Sequence, residues 1–239
     1  MNAALIFAGG TGQRMNTRSK PKQFLELHGK PIIVYTLEVF EEHEDIDGIV
    51  VVCLADWIPY MRKLVEKYHL QKIKDIVPGG ETGQESIFNG VDALSRCYKD
   101  QDIILVHDGV RPLVDSETIT KNIQCALEYG NAITTTPAIE TITVGNEDGK
   151  VGDSLNRSMC RMAKAPQSFR LGTLLECHER ARLINKNDFV DSASLIKHFG
   201  FELYAVDGNM ENIKITTPMD FYIFRAIVDA REESQIFGL

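Results

Sequence analysis

A doubly wound α/β fold with a mostly parallel sheet is predicted by three features of this sequence. Short apolar runs recur from the first residue to about Thr136, amphipathic stretches alternate with them, and 239 residues suffice to bury one core. Ala3–Phe7, Ile49–Leu54, Ile73–Val77 and Ile103–Val106 read as strands, and their near-continuous hydrophobicity suits a sheet covered on both faces. Ile33, Leu37 and Phe40 fall at i, i+4, i+7 between the first two strands, and Ile119, Ile123, Ala126 and Leu127 keep helical spacing after the fourth. Asp56 before Trp57–Tyr68 and Ser116 before Glu117–Tyr129 are the expected N-caps. The β-α-β-α order implies right-handed crossovers.

The rhythm breaks between Ile139 and Arg161. Thr141–Val144 is β-rich, Asn146-Glu147-Asp148-Gly149 is turn chemistry and Lys150–Leu155 leads back. We expect a β-arm at about 139–161 that projects from the sheet, a kind of element that often pairs with a second subunit. Helical patterns resume at Gly172–Ile184 and Ser192–His198, then strand-like Glu202–Val206 and Asn212–Thr216, then a last helix from Thr217 to about Arg231. No repeat, low-complexity tract or linker divides the chain, so residues 1–239 are expected to form one domain carrying an arm.

Composition narrows the function classes. Hydrophobic residues make up 44% and charged residues 25%, as in an ordinary folded globule. No apolar run approaches the roughly 20 residues that cross a bilayer. Met1-Asn2-Ala3-Ala4 lacks the basic start of a signal peptide, so a cytoplasmic protein without a membrane partner is expected. The net charge of −8 argues against nucleic acid as the main partner but not against a small anion, which a few local cations can hold. Cys53, Cys97, Cys125, Cys160 and Cys177 are widely spaced without C-x-x-C, and they read as buried free thiols rather than a disulfide framework or zinc ribbon.

The first strand runs into Phe7-Ala8-Gly9-Gly10-Thr11-Gly12-Gln13-Arg14-Met15. Glycines just beyond a strand let backbone N–H groups approach an anion, and ligands gather at the carboxyl ends of strands in such sheets. Generic labels fail: no Gly-Lys-Ser/Thr follows, and Met15 stands where a dinucleotide fingerprint needs its third glycine. Arg14, Lys20 and Lys22 add cations that suit a polyphosphate, and Pro21 suggests that Lys22 sits on an extended segment. A second glycine loop, Pro78 to Ser86, follows the third strand and opens a helix. At the end of the fourth strand, Asp108 in His107-Asp108-Gly109-Val110-Arg111-Pro112 is placed to hold Mg²⁺ beside phosphates. His107 reads as a hydrogen-bonded core histidine rather than a base, and Arg111 could hold the loop by pairing with Asp108.

Together A-G-G-T-G-x-R-M, P-K-Q-F-L, G-G-x(5)-S, H-D-x-V-R-P, A-P-Q-S-F and N-I-K-I-T, in this order from about Ala3 to Ile227, resemble the CTP-dependent polyol-phosphate cytidylyltransferases. The resemblance implies a Rossmann-like domain, a homodimer made through the β-arm, and Mg²⁺-dependent transfer of CMP from CTP to a polyol phosphate. It implies that Ala8, Gly9, Gly10, Thr11 and Gly12, preceded by Phe7, cradle the triphosphate, and that Arg14 and Lys22 stabilise the pentavalent phosphorus. Gly80, Glu81 and Ser86 would hold cytosine and ribose, helped by Asp108 and Gly109. Arg157 and Lys214 would position the attacking sugar phosphate with Arg111, and Thr141 would touch that substrate from the arm.

Three departures refine this expectation. The methylerythritol-using members usually read P-A-A-G in the first loop, where this chain has Phe7-Ala8-Gly9-Gly10; they commonly show Thr-Pro-Gln where it has Ala165-Pro166-Gln167. Both differences tilt the expected acceptor toward D-ribitol 5-phosphate, with 2-C-methyl-D-erythritol 4-phosphate as the alternative. Gly83 also stands where an arginine often precedes the serine. Two anions must meet in such a reaction, so positioning and electrostatic stabilisation would suffice without a nucleophilic side chain. A sugar-1-phosphate nucleotidyltransferase using UTP or GTP, and a non-catalytic nucleotide-sensing module, are the readings from other classes.

Overall fold

In the computed structural model, residues 1–10, 20–145 and 148–237 are described, the last three by their backbone alone. The chain begins with β1 (Asn2–Ala8), a small hairpin of β2 (Glu26–Leu27) and β3 (Lys30–Pro31), and α1 (Ile32–Glu42). It continues through β4 (Gly48–Cys53), α2 (Ile58–Lys67), β5 (Ile73–Pro78), α3 (Gly83–Ser95), β6 (Ile103–Asp108), α4 (Ser116–Tyr129) and β7 (Asn131–Pro137). The arm strands β8 (Thr143–Gly145) and β9 (Val151–Ser154) precede β10 (Arg161–Arg170), α5 (Leu171–Leu183), α6 (Ser192–His198), β11 (Ala205–Asp207) and α7 (Pro218–Phe237).

Among the described residues, seven strands form the main sheet in the order β11-β7-β10-β6-β1-β4-β5. All neighbours pair in parallel except β10, which runs antiparallel to β6 and β7. From β1 the chain steps outward through β4 to β5 and then returns to β6 on β1's other side. The switch point of the sheet therefore lies between β1 and β6, where their carboxyl ends leave a crevice.

The strands' continuous hydrophobicity has the anticipated cause. Ala4, Ile6, Ile49, Val51, Ile103 and Leu105 face one cluster with residues of α1, α2 and α4. Their alternates Ala3, Leu5, Val50, Val52, Ile104 and Val106 face another with residues of α3, α5 and α6. A third cluster seats Phe224 and Val228 of α7 on Ile32, Val110, Leu113 and Ile215.

Several local expectations are corrected. Asp56 does not cap: Ala55–Trp57 is a 3-10 turn, and Trp57 stands at the N-cap of α2 without a side-chain bond. Asp115, not Ser116, caps α4, because its carboxylate reaches the Thr118 N–H. Lys22 opens a 3-10 turn (Lys22–Phe24), and the extended residue is Pro21. Pro21 restricts the backbone of Lys20, which precedes it, and does not keep Lys22 out of the turn. Asn212–Thr216 has no regular structure and crosses the end of β6, where the Ile215 N–H donates to the Val110 carbonyl at 2.9 Å. All five cysteines are free, but Cys97 is exposed and Cys125 and Cys160 are half-buried; Cys53 and Cys177 are buried, which pushes their thiols up to about 11.

The arm forms its own two-stranded sheet, with β8 and β9 exposed throughout and the turn residues Asn146 and Glu147 outside the described residues. No helix among the described residues is long and apolar enough to cross a membrane.

Helix α3 can approach the sheet closely because Gly90 lacks a Cβ, which would collide with Leu5 of β1 and Val52 of β4. Gly90→Val is expected to destabilise the fold by about 2 kcal/mol through overpacking. The midpoint of urea unfolding measures it, and an unmoved midpoint would show that the helix retreats freely.

Candidate active site

Three segments meet at the crevice. The first is the end of β1, Phe7–Gly10. The Gln23 amide, itself buried, donates to the Ala8 carbonyl at 2.7 Å, so the Lys22–Phe24 turn is fastened beneath the glycine loop. Thr11, Gly12 and Arg14 lie outside the described residues. Lys20 pairs with Glu26 at 2.7 Å, so its charge is already answered; Lys22 is half-buried on the turn.

The second segment is the loop after β5. Ser86 is buried, and its hydroxyl accepts from the Gly80 N–H at 3.0 Å while donating to the Thr82 carbonyl at 2.8 Å. Both glycine loops crowd this hydroxyl, since a Cβ on Gly9 or Gly79 would come within 3.5 or 3.0 Å of it. Thr82 caps α3 through the Glu85 N–H, and the exposed Glu81 donates its own N–H to the Glu85 carboxylate. A side chain on Gly83 would meet open space.

The third segment runs from β6. Gly109 lies against β1: its N–H donates to the Phe7 carbonyl at 2.8 Å, and a Cβ there would press on Ala8. The Thr36 hydroxyl donates to the Gly109 carbonyl from beneath. Asp108 projects from the strand end with 17% of its side chain exposed, and each oxygen holds one cation: Arg111 Nε at 2.8 Å on Oδ2 and Lys214 Nζ at 2.5 Å on Oδ1. Burial works to raise this carboxyl's pKa; the charges and hydrogen bonds of Lys214 and Arg111 outweigh it and hold the value at about 2. Arg111 donates again, through Nη1, to the Asn212 carbonyl at 2.9 Å.

His107 is a core residue, as expected. Its Nε2 lies 3.2 Å from the Arg111 carbonyl and must donate to it, while Nδ1 is buried without a partner among the described residues. Burial lowers its pKa to about 4, so it stays neutral at pH 7. His178 of α5 is likewise buried, with Nε2 unpartnered among the described residues, and its pKa is lowered to about 4 by burial and then by Arg182.

These segments border a cavity of about 470 Å³ lined by Phe7, Asp108, Arg111, Lys164, Gln167 and Lys214, with Gln84, Ile87 and residues 187–192 on the opposite wall. That volume is within the range of small-molecule sites, roughly 300–1,000 Å³. Lys214 and Arg111 thus converge on Asp108. Arg157 and Thr141 do not line this cavity: both are exposed on the arm, where Arg157 donates to the Ile139 carbonyl at 3.3 Å. Gly80 and Glu81 are also outside its lining, and Glu81 borders an adjoining hollow.

Among the described residues no three of His, Cys, Asp and Glu lie together as a metal cage. Asp108 is the ionised carboxylate beside the glycine loops, which fits an ion that takes most of its ligands from phosphates and water.

Sequence reasoning overlooked Gln23, Asn212 and Lys164. Gln23 and Asn212 were legible as uncharged polar residues inside motifs, each followed directly by an apolar one, Phe24 and Ile213. Lys164 gave no signal of its own beyond standing one residue before Ala165-Pro166-Gln167.

Comparison with known proteins adds three findings. Residues 2–230 match the family described as 2-C-methyl-D-erythritol 4-phosphate cytidylyltransferase (IspD). The chain is 51% identical over 238 residues to a ribitol-5-phosphate cytidylyltransferase of Vibrio parahaemolyticus, covering 100% of both. It is 39% identical to a 2-C-methyl-D-erythritol 4-phosphate cytidylyltransferase of Clostridium botulinum, covering 95% of this chain and 97% of that one. The crystal structure of 4-diphosphocytidyl-2C-methyl-D-erythritol synthase from Anaerococcus prevotii matches with a TM-score of 0.80 at 27% identity, over 95% of each chain.

Two of the buried histidines, His107 and His178, set an acid limit. Their folded pKa values lie below the unfolded 6.5, so the unfolded chain binds protons first, and their contribution is full above about pH 6.5 and falls toward pH 4. Each adds up to about 1.4 kcal/mol per pH unit to the slope in that window. His178→Gln is expected to remove one proton's share of this slope, measured by urea unfolding from pH 4 to 6.5; an unchanged slope would mean that His178 takes its proton without unfolding.

Proposed function

The chain belongs to the 2-C-methyl-D-erythritol 4-phosphate cytidylyltransferase (IspD) family and is a CTP-dependent cytidylyltransferase, and we propose that its acceptor is D-ribitol 5-phosphate, yielding CDP-ribitol and pyrophosphate. The observation that carries the acceptor is the full-length relative of that name at 51% identity, against 39% for the methylerythritol-named relative. Phe7-Ala8-Gly9-Gly10 in the first loop supports the same choice.

In the chemistry, a phosphate oxygen of the acceptor forms a bond to the α-phosphorus of CTP, and the bond to the bridging oxygen of the β-phosphate breaks. Pyrophosphate leaves with that oxygen and its electrons, and no proton has to move. The barrier contains the repulsion of two anions and the charge gathering on nonbridging oxygens. In this reading Ala8 to Gly12 cradle the triphosphate with Phe7 beside them, and Arg14 and Lys22 stabilise the pentavalent phosphorus. Gly80 and Glu81 hold the base and ribose, Ser86 acts by holding that loop in shape, and Gly109 lets the nucleotide lie close. Arg111 and Lys214 receive the acceptor phosphate.

Mg²⁺ would be held by Asp108 together with triphosphate oxygens and water, neutralising charge between the two anions. With Mg²⁺ on Asp108, Lys214, 41% exposed, would turn toward the acceptor.

The arm is read as a dimerisation element. Val144, Val151, Leu155 and Met159 are exposed on it at 47–80%, and a two-stranded hairpin alone is marginal in water. Pairing with a second copy would cover them and carry Arg157 and Thr141 to the neighbour's acceptor site. The net charge of −8 speaks against nucleic acid as the main partner, and the reading assigns no membrane partner and a cytoplasmic location.

Incubation with Mg²⁺, each nucleoside triphosphate and a panel of polyol phosphates tests the assignment. Pyrophosphate release is expected with CTP plus ribitol 5-phosphate; release with methylerythritol phosphate would move the acceptor, and silence with every pair would favour a nucleotide-sensing module. Lys22→Ala is expected to lower turnover about a hundredfold, or about 3 kcal/mol of barrier, by analogy with a lost oxyanion donor. Near-normal turnover would remove Lys22 from the mechanism.

A further inference from the structure

We infer that Lys164 is a third cation for the acceptor's phosphate, forming with Arg111 and Lys214 a seat for a phosphomonoester dianion. The inference rests on the reading of this cavity as a polyol-phosphate site.

Lys164 is aimed by an irregularity in its strand. The register of β10 against β7 shifts between Ala163 and Gln167. Ala163, Lys164 and Ala165 all border the cavity along this irregular stretch, where the strict alternation of a regular strand is interrupted. Bulges of this kind re-aim side chains beside active sites.

Three cations are tied to one short segment. Lys164 Nζ donates to the carbonyls of Met210 at 2.9 Å and Asn209 at 3.5 Å. Arg111 donates to the Asn212 carbonyl two residues on, and Lys214 belongs to the same stretch. The Asn212 amide closes the arrangement by donating to the Ala165 carbonyl at 2.6 Å. A lysine ammonium has three donors, so at least one remains for a ligand.

The charges do not balance without a ligand. Arg111 and Lys214 share Asp108, whereas among the described residues Lys164 makes no ion pair. The charged group acting on Lys164 is Arg111, which has the same sign; burial and that neighbour together hold its pKa below the ordinary lysine value. The other acids at the cavity are engaged: Asp188 pairs with Lys186 at 3.7 Å, and Asp191 caps α6 while accepting from Gln167 at 2.8 Å. Three positive charges face Asp108 and Asp191, which makes no ion pair among the described residues, and the surplus of one is answered by an anionic phosphate. Position selects the acceptor over the triphosphate. Lys164 sits on β10, while both glycine loops follow strands on the other side of β6.

The test compares wild type with K164M, K164Q and K164R on whichever polyol phosphate of the panel wild type turns over. K164Q keeps a donor for the Met210 carbonyl without the charge. For K164M and K164Q the acceptor KM, and the Ki of inorganic phosphate competing with the acceptor, are expected to rise about tenfold to a hundredfold, as for a lost charged hydrogen bond. The KM for CTP should stay put, and K164R should recover most of the effect. An unmoved acceptor KM, or an equal rise in both KM values, overturns the inference while leaving the proposed reaction intact. If wild type turns over no polyol phosphate, the reading of the cavity fails and the inference falls with it. Should K164M unfold, K164Q and K164R decide alone.

Discussion

A carboxylate at the end of a buried strand must stay ionised where little water reaches it. Asp108 does so because Arg111 and Lys214, 103 residues apart in the chain, each donate to one of its oxygens. Without them, burial would push the group toward its neutral form; with them it ionises near 2. The pairing also has a directional consequence. It draws the unstructured Asn212–Thr216 segment across the end of β6, so that the last part of the fold, anchored by α7, closes over the first. A salt bridge of this kind adds little net stability, but it fixes where the positive charges stand. Position is what a reaction between two anions requires.

The sheet order explains why this carboxylate and the glycine loops share a crevice. The chain reverses direction across the sheet between β1 and β6, so their exits diverge and leave a gap between them. Gly109 allows the two strand ends to touch above the sheet, and Thr36 and Gln23 satisfy backbone carbonyls beneath it. The antiparallel β10 supplies the far wall. A parallel strand in that place would present its carboxyl end to the crevice, whereas β10 presents its amino end and, with it, the arm that precedes it.

Much of this was legible in the sequence, and the reason is periodicity. Strands buried on both faces announce themselves as apolar runs, so β1, β4, β5 and β6 were found within a residue or two. β10 was missed because Arg161, Lys164 and Pro166 interrupt its pattern and it has few apolar residues. β7, Asn131–Pro137, hides three threonines in the core, where Thr134 donates to the Pro166 carbonyl and accepts from Asn122. Such buried polar chains have no signature in a single sequence. In the site, Asp108, Arg111 and Lys214 were recognisable from motifs, but their mutual pairing was visible only for the two residues close in sequence. Lys164 could not be found at all, since only a register shift turns it toward the cavity.

The site divides into parts held firmly and parts held lightly, and that division follows from burial. Gln23, Ser86, Thr36 and Asn212 are buried, and each makes hydrogen bonds that would be costly to leave open, so the backbone they brace is fixed before any ligand arrives. Among the described residues the Asn212 Oδ1 and the His107 Nδ1 are buried without a partner. Lys214, by contrast, is 41% exposed, and among the described residues its ion pair is with Asp108, so its long side chain can swing while the more deeply buried carboxylate stays put. A framework that does not yield, carrying cations that do, suits a reaction in which charge shifts from one phosphate to another. The oxygens change partners, and only the lightly held side chains have to follow.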